Sequence, residues 1–106
     1  MADYSIYEAG EFKKLFGKLD GSVQTQINKA LAKLSENPFH NSKTLNHPFL
    51  GKRSFRAGKY RIIFVICEEC RMRKWQEYNQ CAKCLDRTDN SVVLFTVGLR
   101  KNVYDR

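Results

Sequence analysis

Two runs in the C-terminal half, Tyr60-Arg61-Ile62-Ile63-Phe64-Val65-Ile66 and Ser91-Val92-Val93-Leu94-Phe95-Thr96-Val97, are apolar at odd and even positions alike. A strand with one face in water alternates in polarity, whereas one apolar on both faces has to be covered on both. Each run therefore predicts an interior strand, and together they predict a pair in the middle of a sheet. A chain of 106 residues has room for a single core around that pair, so residues 1–106 are read as one domain.

The upstream half supplies the cover. Tyr4 and Ile6 alternate within residues 3–7 as a short first strand would. From Glu8 onward Phe12, Leu15, Phe16 and Leu19 recur at the spacing of one helix face, with Lys13, Lys14 and Lys18 outside it. Asp20-Gly21-Ser22 interrupts this helix and offers a side-chain oxygen to cap a second one. There Val23, Ile27, Ala30, Leu31 and Leu34 form the apolar stripe and Asn37-Pro38 marks the end. Two helices joined so closely form a hairpin, and their stripes need a sheet to lie on. Residues 39–48 read as a loop, Leu50 to Arg56 as a polar, basic strand, and Ala57-Gly58-Lys59 as the turn into Tyr60. The expected class is α+β in the order β-α-α-β-β-β.

Residues 67–90, between the two interior strands, are far longer than the usual hairpin loop of about 2–5 residues and hold all four cysteines. Cys67-x2-Cys70 and Cys81-x2-Cys84 present two knuckles whose thiolates can converge tetrahedrally on one ion, for which zinc is the natural occupant. Four thiolates fill the coordination shell, so the expected zinc is structural. Reduced or disulfide-linked cysteines without metal are the alternatives. Arg71, Arg73, Lys74 and Trp75 form a basic and aromatic tip between the knuckles, suited either to a phosphate backbone and a stacked base or to plain solvation.

Nineteen Lys and Arg against eleven Asp and Glu give a net charge of +8, which favours an anionic partner: nucleic acid, a membrane surface or an acidic protein. The N-terminal residues lack a positive segment followed by an apolar run, and no stretch approaches the roughly 18 apolar residues of a membrane span, so a cytoplasmic location is expected. Five of the eleven residues in Gly51–Arg61 are Lys or Arg, with no acid among them. On a strand Lys52, Ser54 and Arg56 face one way while Arg53 and Phe55 face the other, so cations line one side and Phe55 enters the core. Arg61, across the turn, and Arg100, just past the last strand, can join that surface. Clustered guanidinium groups suit an anion whose charge grows in a transition state.

Leu50-Gly51-Lys52-Arg53-Ser54-Phe55-Arg56-Ala57-Gly58-Lys59-Tyr60-Arg61-Ile62-Ile63-Phe64, followed by Val97-Gly98-Leu99-Arg100-Lys101-Asn102-Val103-Tyr104, resembles the RelE/ParE superfamily of toxin–antitoxin toxins. The resemblance spans nearly the whole chain and leaves out only residues 67–90. It implies a helix hairpin packed on a curved antiparallel sheet, and for the RelE branch a metal-independent endoribonuclease (mRNA interferase). Such an enzyme cuts messenger RNA in the ribosomal A site by attack of the RNA's own 2′-hydroxyl, leaving a 2′,3′-cyclic phosphate.

The same resemblance implies site residues. Lys52, Arg61, Arg100 and Tyr104 correspond to catalytic positions, and Arg53, Arg56, Lys59 and Lys101 would contact RNA. Ser54 stands where the best-known RelE enzymes carry a second lysine, the usual candidate for the base. Lys52 is then the expected base, its charged form disfavoured by Arg53, Arg56 and Arg61 nearby, with His47 in the loop upstream as another candidate. Arg61 would stabilise the phosphate, Arg100 stabilise it or donate a proton, and Tyr104 stack on a base or orient the 2′-hydroxyl. The implied partners are the ribosome with its mRNA and an acidic, helical, RelB-like antitoxin wrapped around the toxin. A ParE-like inhibitor of DNA gyrase and a non-catalytic RNA- or ribosome-binding module are the competing readings.

Overall fold

A computed structural model describes residues 4–40, 42–45, 49–79 and 87–99. Its order is β1 (Ser5–Glu8), α1 (Gly10–Gly17), α2 (Gly21–Glu36), β2 (Ser42–Thr44), β3 (Arg53–Ala57), β4 (Tyr60–Ile66), α3 (Cys67–Met72), α4 (Gln76–Asn79) and β5 (Ser91–Leu99). The expected α+β architecture of a helix hairpin on a sheet is present. The five strands lie in the order β1-β5-β4-β3-β2, which places the two doubly apolar runs, β4 and β5, in the interior.

The sheet departs from the antiparallel expectation at one edge. β1 runs parallel to β5, pairing Ser5 with Ser91 and Glu8 with Leu94, while the remaining pairs are antiparallel. Parallel pairing needs a crossover, and here the helix hairpin and three strands intervene between the partners. Part of the expected loop 39–48 is also strand, since Ser42–Thr44 pairs with Arg53–Phe55 as the outer edge. Asp20 stands at the N-cap of α2, but its side chain makes no capping hydrogen bond.

Phe12 of α1 and Ile27, Ala30 and Leu34 of α2 meet Phe55, Ala57, Ile62, Phe64, Ile66, Val92, Leu94 and Val97 in one core. Those sheet residues define the hairpin-facing side. Alternation sends Ser54, Ile63, Val65 and Val93 to the other side, and these are buried as well. A bulge between Ile63 and Phe64 shifts the β4–β5 register so that Ile63 pairs with Thr96 and Phe64 with Leu94, which leaves Phe95 as the extra residue.

The β3–β4 hairpin closes with Gly58-Lys59 between the paired Ala57 and Tyr60. Gly58 has φ 62°, and a Cβ there would come within 2.2 Å of the Gln26 amide nitrogen. The left-handed backbone of this turn is what favours glycine here, since the Gln26 amide is the exposed end of a flexible side chain that can move aside.

Candidate nucleic-acid interface

Pairing of β3 with β4 sets the geometry. Arg56 lies directly opposite Arg61, and Ser54 opposite Ile63. Directly opposed residues share a face, so Arg56 and Arg61 project from the side away from the helix hairpin, where Ser54 also faces. On the β5 side Arg61 pairs with Gly98, which brings no side chain to that face. Arg61 is half-buried, and its Nε is buried with no hydrogen-bond partner among the described residues. Arg56 is exposed, its Nε donating to the Gly58 carbonyl at 3.2 Å. Lys59 is exposed at the hairpin tip.

Lys52 immediately precedes β3, its amide donating to the Phe49 carbonyl at 3.1 Å and its carbonyl accepting from the Leu45 amide at 3.1 Å. Its ammonium sits 4.9 Å from the centre of the Phe95 ring, a cation–π contact that draws the Lys52 side chain over β5. The bulge that frees Phe95 from the ladder supplies this ring.

A further cation emerges from β2. Lys43 pairs directly with Ser54 and therefore shares its face, and it is exposed. Sequence reasoning missed it because Ser42-Lys43-Thr44 has no apolar period. Ser54 thus has a lysine directly beside it in the neighbouring strand.

Arg53 is placed differently from a phosphate ligand. Its Nε and Nη2 donate to Glu69 Oε1 and Oε2 at 2.8 and 2.9 Å, its Nη1 reaches Ser42 Oγ at 3.1 Å, and its side chain is only 12% exposed. The guanidinium is committed to a buried, bidentate ion pair between β3 and α3. Among the tip residues, Arg71 pairs with Asp89 at 2.6 Å, while Arg73 lies over the Trp75 ring at 5.0 Å and 3.5 Å from Glu69. Arg100, Lys101, Tyr104 and His47 lie outside the described residues.

Cys67 and Cys70 stand in the first turn of α3, both buried. Asn79 Nδ2 donates to Cys70 Sγ at 3.2 Å. Cys81 and Cys84 lie outside the described residues, and within those described no cluster of three or more His, Cys, Asp or Glu is gathered. No helix among the described residues is long and apolar enough to cross a membrane.

No family model matches the chain, and no curated protein matches its sequence. Solved structures do match. The RelBE2 toxin–antitoxin complex of Mycobacterium tuberculosis superposes with a TM-score of 0.69 at 22% identity, covering 94% of both chains. The isolated RelE toxin of E. coli gives 0.62 at 20% identity, covering 96% of this chain and 92% of that one. The archaeal RelE–RelB complex of Pyrococcus horikoshii gives 0.61 at 15% identity, covering 94% and 97%. The chain has the fold of the RelE toxins.

Proposed function

We propose that this chain is the toxin of a toxin–antitoxin pair and acts as a ribosome-dependent messenger RNA endonuclease. The observation that carries the reading is the set of cations on one sheet face, Lys43, Lys52, Arg56 and Arg61, of which Arg61 has its Nε buried without a hydrogen-bond partner among the described residues. Desolvating such a donor without a bond costs free energy, and a phosphate oxygen is the ligand that would satisfy it.

The cleavage starts when a base takes the proton of the RNA 2′-hydroxyl. The resulting oxygen attacks the adjacent phosphorus, and the 5′-oxygen leaves with a proton from an acid. Lys52 serves as the base. Arg61 bonds the phosphate oxygens as their charge grows, and Arg56 and Lys59 hold the flanking backbone. Lys43 supplies the second ammonium beside Ser54. Arg100 is assigned to phosphate stabilisation or proton donation, Lys101 to the backbone, and Tyr104 to stacking or orienting the 2′-hydroxyl. None of these steps calls for a metal ion.

A cationic face of this kind also suits an acidic, RelB-like antitoxin, in keeping with the RelB partners in the matching complexes. Action on ribosomes would place the chain in the cytoplasm. The test is a cell-free translation reaction programmed with labelled mRNA. Wild-type protein should stop synthesis and fragment the message, while Arg61→Ala should do neither. Intact message with inhibited gyrase in a parallel supercoiling assay would reject the reading.

A further inference from the structure

The alternation of β5 breaks at one place. Val92, Leu94 and Val97 belong to the core under the helix hairpin. The step of three from Leu94 to Val97 leaves both Phe95 and Thr96 on the opposite side of the sheet. Thr96 keeps a ladder partner, Ile63, and is buried. Phe95 is the extra residue of the bulge and stays partly exposed between two buried neighbours. A bulge re-aims a side chain, and this one turns an aromatic ring onto the cationic face.

Lys52 reaches that ring from a fixed backbone. Its amide and carbonyl bond Phe49 and Leu45, and the Gly51 carbonyl just before it accepts from Asn79 Nδ2 at 3.1 Å. The flexible four-carbon stem beyond leaves the ammonium without a set position unless its far end is also held. Phe95 holds it, 4.9 Å from the ring centre. The direction of this contact matters. Arg53 pairs with Phe64, so the Lys52 backbone lies one step past Phe64, away from Arg61. Phe95 stands between the partners of Ile63 and Phe64, nearer to Arg61. The ring thus draws the ammonium across β4 toward Arg61, against the repulsion between the two cations.

We propose that Phe95 is a positioning residue for Lys52, its ring setting where the base stands relative to the phosphate-binding Arg61. This role rests on the endonuclease reading, whereas the contact itself does not. On taking the proton of the 2′-hydroxyl, Lys52 becomes an ammonium. Its attraction to the ring face therefore grows as the proton is transferred, which favours the transition state over the ground state. Phe95 acts through Lys52 and exchanges no proton itself.

Single-turnover cleavage of ribosome-bound message should slow about 3- to 30-fold in Phe95→Leu, the loss expected for one cation–π contact, and recover in Phe95→Tyr, which keeps a ring. Affinity for a message with a 2′-deoxy nucleotide at the cleavage point, which cannot react, should be unchanged in both variants. In a Lys52→Ala background Phe95→Leu should have no further effect. One readout needs no RNA: the ring shields the Lys52 ε-methylene protons, so their NMR signals should lie upfield in wild type and Phe95→Tyr and return in Phe95→Leu. The wild-type signals decide the contact even should Phe95→Leu fail to fold. Weaker binding of the deoxy message in Phe95→Leu would make the ring a stacking surface for a base and overturn the proposal. A further rate loss in the Lys52→Ala background, or unshifted Lys52 signals in the wild type, would overturn it too. Shifted signals in a protein that leaves the message whole would reject the endonuclease reading and uphold the placement of Lys52 by Phe95.

Discussion

Arg56 and Arg61 stand directly opposite one another across the β3–β4 ladder, two cations on one face of the sheet. Like charges in that relation oppose folding, and under the proposed function an RNA phosphate would offset the repulsion. Replacing Arg56 with Thr should raise stability by about 0.2–1 kcal/mol in chemical denaturation. The same change should weaken RNA binding and make its salt dependence shallower, by about 0.7 in the log–log slope for one lost single-strand phosphate contact.

Lys43 and Lys52 can be distinguished by kinetics. Loss of a general base lowers the rate about 10²- to 10⁴-fold, whereas loss of a binding cation acts mainly on substrate affinity. Single-turnover cleavage by Lys52→Ala should fall in rate constant by that factor. Lys43→Ala should chiefly weaken binding. The reverse outcome would make Lys43 the base.

Glu69→Gln leaves the Arg53 guanidinium buried with its counter-charge removed, and breaking such a pair costs about 3–5 kcal/mol. Thermal unfolding should register the loss. The double variant Arg53→Met with Glu69→Leu should recover most of it, since an apolar pair can fill a similar volume without a stranded charge.

Leu34 of α2 is fully buried against the sheet, so Leu34→Ala should cost about 2–5 kcal/mol. Gly51→Ala should act locally. It forces a side chain into a left-handed backbone at φ 90° and against Tyr78 and Asn79, and faster hydrogen exchange confined to residues 49–53 and α4 would report it.

The interior strands, the helix hairpin and the division of β3 into a cationic side and a Phe55 side were legible because apolar periodicity is a local signal. Strand β2 was not: an outer edge of Ser, Lys and Thr buries too little to leave a pattern, and Lys43 was overlooked with it. The parallel β1–β5 pairing is a contact between chain ends that no local period encodes. Arg53 was read as an RNA ligand because its partner Glu69 is sixteen residues away. An acid between two cysteines, within a segment docked on the basic strand, was the available sign of it.

The most direct test of the account is to map the ends of a messenger RNA engaged on purified ribosomes after exposure to this protein. Cuts within the A-site codon bearing 2′,3′-cyclic phosphates, reduced about 10²- to 10³-fold in rate by Arg61→Ala, are the predicted result. A message left whole, or cuts equally frequent with Arg61→Ala, would contradict it.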